Sequence, residues 1–117
     1  MPAITVTVNT PTDGPFQLSE IFAGNDYSGA LTIVPGTPPT PPSKCTDLQI
    51  QADPGNETNL IYDGDLNLTP TVSGCIGQSL AAGDVHKFQG ETPLAGVYLN
   101  ASAGTAKANI WANGGFQ

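Results

Sequence analysis

Asp47-Leu-Gln-Ile-Gln-Ala52 decides the fold: Leu48, Ile50 and Ala52 alternate with Asp47, Gln49 and Gln51. Side chains of an extended strand point to opposite faces in turn, so this pattern specifies a strand with one dry and one wet face. The same period appears at both ends of the chain. Ile4, Val6 and Val8 alternate with Thr5, Thr7 and Asn9, and Ala106, Ala108 and Ile110 alternate with Lys107, Asn109 and Trp111. No stretch shows a long helical period.

Between these segments the chain is punctuated by turn residues. Thr10-Pro-Thr-Asp-Gly-Pro15 breaks any ladder, since two prolines lack the donor and glycine bends freely. Phe16 to Phe22 reads as a second, weaker strand or as a helical turn over Leu18–Ala23 capped by Ser19. Ala30 to Val34 is a third strand, and Pro54-Gly-Asn56 has the residues of a type II turn. Asn59 to Asp63 forms the next strand, and 71–82 reads as a loop holding Cys75. Asp84 to Gln89 is a short strand with Val85 and Lys87 on one face and His86 and Phe88 on the other. Val97 and Leu99 share a face of another, with Tyr98 opposite. Seven or eight short strands between turns predict an all-β, antiparallel β-sandwich or jelly roll. It is expected as one domain over 1–117, with an N-terminal strand or arm at 1–10 and a stiff Pro-rich loop at 36–43. That loop carries four prolines in eight residues and favours polyproline II geometry.

Composition narrows the function classes. Leu, Ile, Val and Phe make up 26 of 117 residues and twelve more are Ala, so the core is thin and gains from assembly with neighbours. Charged residues are 11% of the chain, Arg is absent and the net charge is −7. Nucleic-acid binding rests on cations that neutralise phosphates, so this balance opposes it, and it equally opposes an anionic membrane surface. A polar surface with few charges suits contact with other proteins, because little charge must be desolvated. The start, MPAITVTVNT, has no basic segment followed by an apolar one, which predicts synthesis in a cytoplasm. Cys45 and Cys75 are then expected to be free thiols.

The polar clusters do not assemble into a motif. His86 is the sole histidine and is expected on the surface of a strand; triads and zinc sites need more partners than the sequence marks. Asp63, Asp65 and Asn67 alternate, which would set three oxygens on one side as a weak calcium site, or simply make a solvated turn and strand face. Trp111, Tyr98, Tyr62 and Tyr27 would serve as a sugar-stacking platform or as core and interface anchors. No catalytic residue, cofactor site or metal site is expected, and the chain is not read as an enzyme.

Four runs occur in a recognisable order: Cys45-Thr-Asp-Leu-Gln-Ile-Gln-Ala-Asp53, Asn59-Leu-Ile-Tyr-Asp-Gly-Asp65, Gly77-Gln-Ser-Leu-Ala-Ala-Gly-Asp84 and Gly96-Val-Tyr-Leu-Asn-Ala-Ser-Ala-Gly104. Over residues 44–112 they resemble small tailed-bacteriophage virion proteins. Those carry the patterns C-x-x-V-x-I-Q-A, Y-x-G-D, L-x-x-G-D/E and I-Y-V-x-A-S-A-G. Asp84-Val-His-Lys-Phe88 departs from the resemblance, because such proteins have a more apolar strand there. The resemblance implies a virion β-sandwich without catalytic residues, of the head decoration or cement type. Such a protein is made in a bacterial cytoplasm and located on the phage particle. Its partners would be the major capsid protein or another virion protein, and copies of itself, as a homotrimer. A head-fibre or tail-associated protein and a carbohydrate-binding host-attachment module are the alternatives. Candidate protein contacts are Ile4 and Val6 of the N-terminal strand, Pro38, Pro39, Pro41 and Pro42 of the Pro-rich loop, and Tyr98 and Trp111.

Overall fold

In the computed structural model, which describes residues 3–25, 27, 29–36, 44–65, 68 and 77–113, the alternating segment at 47–52 lies in the longest strand, β4 (Lys44–Ala52). The other strands are β1 (Ala3–Val8), β2 (Phe16–Gln17), β3 (Leu31–Val34), β5 (Ile61–Gly64), β6 (Gln78–Leu80), β7 (Val85–Lys87), β8 (Thr92–Pro93), β9 (Tyr98–Ala101) and β10 (Ala106–Asn113). One short helix, α1 (Leu18–Phe22), follows β2 directly.

Two antiparallel sheets form, one in the order β3-β1-β10-β4-β7 with β8 added against β4, the other in the order β2-β9-β5-β6. The pairs β1·β10, β2·β9, β4·β7 and β5·β6 are nested in sequence, like successive rungs of one long hairpin. Its rungs fall in the two sheets by turns. Lateral pairing of β10 with β4 and of β9 with β5 closes the ribbon into a roll. With β3 and β8 set aside, this is the eight-stranded jelly roll, the sandwich expected from the alternation.

The core lies between the sheets. Ile4, Val6, Val8, Ile50, Ala108 and Ile110 face inward from the larger sheet and meet Phe16, Ile61, Leu80, Leu99 and Ala101 of the smaller one. β4 buries Cys45 and Leu48 as well as Ile50 and Ala52, a spacing that strict alternation forbids. The register against β10 slips between Trp111 and Asn113, and Asp47 sits there at φ 53°. One extra residue on β4 thus restores both neighbours to the core face; aspartate is among the few side chains that tolerate this left-handed geometry.

Several local expectations are corrected. There are ten strands among the described residues, not seven or eight. β6 lies inside the stretch read as loop, and β8 is a two-residue strand that the proline at 93 concealed. Both are too short for a period to show. Phe16 to Phe22 divides into a strand and a helical turn: Leu18, Ile21 and Phe22, spaced three and four apart, bury one face. Gln17, not Ser19, stands at the helix start, and its side chain donates to the Ala95 carbonyl at 2.8 Å. Pro54–Asn56 is a 3-10 turn, because the Asp53 carboxylate accepts from the Gly55 amide at 2.8 Å and tightens it. Cys45 is buried and unpaired by any disulfide, while Cys75 lies outside the described residues.

Two buried side-chain amides, Asn56 and Asn100, are packed against the backbone. Asn56 Oδ1 accepts from Lys107 N at 2.9 Å and its Nδ2 donates to Lys107 O at 2.8 Å. The amide side chain thereby imitates a further strand beside β10. Gly14 lies flat against buried Asn100, where an added Cβ would stand 2.3 Å from Asn100 Nδ2.

Replacing Asn56 by Ala leaves the two Lys107 backbone groups without these partners, and urea denaturation should show a loss of about 1–3 kcal/mol. Burial alone pushes the Cys45 thiol pKa up. In a Cys75→Ser variant, a disulfide reagent should therefore modify Cys45 only as the protein unfolds.

Candidate functional site

The structure distributes the candidate contact residues very differently from one another. Ile4 and Val6 face the core and are covered by their own chain, so their side chains are unavailable to a partner. β1 is no free arm, since it is paired on both sides, to β3 and to β10. This corrects the reading of Ile4 and Val6 as contact residues: their apolar alternation was the signature of the core, while Thr5 and Thr7 of the same strand face outward. Pro38, Pro39, Pro41 and Pro42 lie outside the described residues. Tyr98 and Trp111 are both half-buried. Alternation along β9 and β10 turns them away from the core, so they stand on the two opposite outer faces of the sandwich.

The outer face of the larger sheet is a continuous surface of mainly uncharged polar side chains. Thr5 Oγ1 donates to Asn109 Oδ1 at 2.9 Å, and Asn109 Nδ2 reaches both Gln51 Oε1 and Asp53 Oδ2 at 3.2 Å. Near the β3 edge, Asn9 Nδ2 donates to Thr32 Oγ1 at 2.8 Å. These cross-strand bonds hold the side chains in place, which lowers the ordering cost of covering them. Val34 and Val85, 60% and 43% exposed, are the exposed large hydrophobics of the described residues. Their strand registers place both on this face at the two ends of one row, Val34–Thr5–Asn109–Gln51–Val85, with Trp111 in the next row, opposite Gln49. Lys87 and Lys107 project from it too, each opposite an uncharged residue, Gln49 and Thr7. At its rim the Gly55 amide, then Asn109, and then the charge of Lys107 hold the Asp53 carboxyl below its usual range.

The four aromatic residues form no single platform. Tyr62 is buried, and Tyr27 packs edge-on against Phe16 at 4.9 Å with its hydroxyl accepting from the Gln17 amide at 3.2 Å. Trp111 and Tyr98 are divided by the thickness of the sandwich.

His86 has a partner that its sequence neighbourhood does not reveal. On β7 it lies beside Ile50 and points inward, and its Nδ1 is 2.9 and 3.0 Å from the two oxygens of Asp63, on β5 of the other sheet. The ring stacks on Phe88 at 4.1 Å. His86 is 27% exposed and Asp63 only 2%, so the expectation of a surface histidine and of a solvated aspartate face is corrected at both residues. Burial raises the Asp63 pKa, against the hydrogen bond and charge of His86. Asp63 and Asp65 therefore do not present a shared solvent-facing oxygen set, and no cluster of three metal-ligating side chains occurs among the described residues. Twenty-three residues of sequence separate the pair, and only the register of two sheets brings it together.

Val34→Thr and Val85→Thr should each change unfolding free energy by under about 0.5 kcal/mol, since neither side chain is covered. Ile50→Ala, measured in the same urea series, should cost about 2–5 kcal/mol. No protein-family model, curated protein or solved structure matches this chain.

Proposed function

We propose that the chain is a phage virion structural protein, of the kind that decorates a capsid, and that it docks through the outer face of its larger sheet. The observation that carries this reading is the face itself: hydrogen-bonded polar side chains, two lysines, and Val34, Trp111 and Val85 in one plane. Protein contact surfaces are enriched in aromatic residues at their centre, and Trp111 with the exposed Val34 and Val85 gives this face such an apolar component. The jelly roll agrees with the reading, since viral capsid domains use it, but lectins do as well, so the fold does not choose between them. The order of the four sequence runs favours the virion.

Two rival readings lose support from the geometry. The sugar-stacking platform of four rings is lost, since Tyr62 is buried, Tyr27 packs on Phe16, and Trp111 and Tyr98 stand on opposite faces. For an enzyme, His86 and Asp63 supply a base and its orienting acid, but acyl transfer needs a nucleophile as third member. The described hydrogen bonds of the ring go to Asp63, and the buried Cys45 thiol is held in its protonated form. A head-fibre or tail-associated role would use the same face and differs only in its place on the particle.

Heads of the encoding phage assembled without this chain provide the test. Purified protein should co-sediment with them saturably and raise their resistance to heat, and Trp111→Ser with Val85→Glu should abolish both effects while the variant remains folded. Absence of binding with unchanged resistance would remove the decoration reading. Light scattering of the free protein should give the mass of a trimer; a monomer at micromolar concentration would contradict the homotrimer.

A further inference from the structure

We propose that the His86–Asp63 pair is a proton-uptake site that couples closure of the two sheets at the β7 edge to pH, the closed sandwich being favoured as the pair takes up protons. This holds independently of the contact-face reading. The pair joins the edge strand of one sheet to an inner strand of the other, with a carboxylate that is almost wholly covered. A buried anion is costly, and one neutral imidazole compensates it only partly.

In mild base the pair holds imidazole and carboxylate and carries one negative charge in the interior. Uptake of one proton from solvent makes it neutral overall, whether as imidazolium with carboxylate or as imidazole with carboxyl; that proton belongs to the pair. When the edge opens, water solvates the carboxylate and the preference disappears. The closed state thus binds protons more tightly than the open or unfolded chain, and stability gained this way is present in acid and lost as pH rises. The raised pKa of buried Asp63 agrees in sign.

The surroundings isolate the pair. Ile50 on β4 lies beside His86, and Gln78 on β6 and Leu99 on β9 lie beside Asp63. Phe88 stacks on the ring, and Lys87 points to the opposite face. Among the described residues His86 supplies the charge that acts on Asp63. Gly77 permits the close approach of the backbone here, since a Cβ would stand 2.5 Å from the Asp63 carbonyl oxygen.

Melting curves between about pH 4.5 and about pH 8 test the coupling, because a carboxyl displaced upward by burial loses its proton in that range. Relative to a His86→Gln/Asp63→Asn double variant, the wild type should gain a few degrees toward the acid end. Asp63→Asn should flatten that difference. His86→Gln should keep a slope and move it to higher pH, because the group that opposes the Asp63 shift is gone. A wild-type profile parallel to that of the double variant, or a His86→Gln slope at unchanged pH, would overturn the proposal. Should the variants not fold, carboxyl-carbon NMR of wild-type Asp63 decides: titration above the ordinary aspartate range supports the site, and titration within or below it overturns it.

Discussion

Strand β10 is the element on which the rest of the structure depends. It lies between β1 and β4, and the three define the plane of the larger sheet. Its pairing with β1 joins the two ends of the chain, so that Thr5 bonds a side chain 104 residues away. Ala106, Ala108 and Ala112 present only methyl groups to the core, which lets the smaller sheet approach closely. Asn56 fastens its start through both backbone groups of Lys107. Without β10, the first strand has β3 alone and β4 loses its longest partner. The nested ribbon then has no seam along which to close.

How legible this was in the sequence varies with the length of each element. β1, β4 and β10 run for six to nine residues, long enough for alternation to display their inward faces, and all three are where it placed them. β6 and β8 have three and two residues, and what makes them strands is a neighbour supplied by the fold. The bulge at Asp47 is invisible in composition but follows from Cys45 and Leu48 both needing cover. The same limit governs the site. The apolar residues of β1 were assigned to contact when their pattern already announced burial, and Val34 and Val85, which do reach solvent, occupy unremarkable strand positions.

The relation of His86 to Asp63 belongs to a further level, that of tertiary register. Each residue sits on its own strand, in its own sheet, and the pair exists only because the ribbon folds back on itself. A lone histidine beside a lysine reads as exposed. Only the opposing sheet, with its covered carboxylate, gives the ring an inward task. The outer face depends equally on register: Thr5, Asn109 and Gln51 come from three strands and form one bonded row because β10 is centred between β1 and β4.

Closure through β10 holds the whole sandwich. Amide hydrogen exchange, followed residue by residue, tests it most directly, since groups released only by global unfolding exchange most slowly. The amides of β10 and its ladder partners in β1 and β4 should form the slowest set, exchanging together at the rate set by global unfolding. Exchange of the β10 amides at loop rates, with β5 and β9 still protected, would contradict this role of β10.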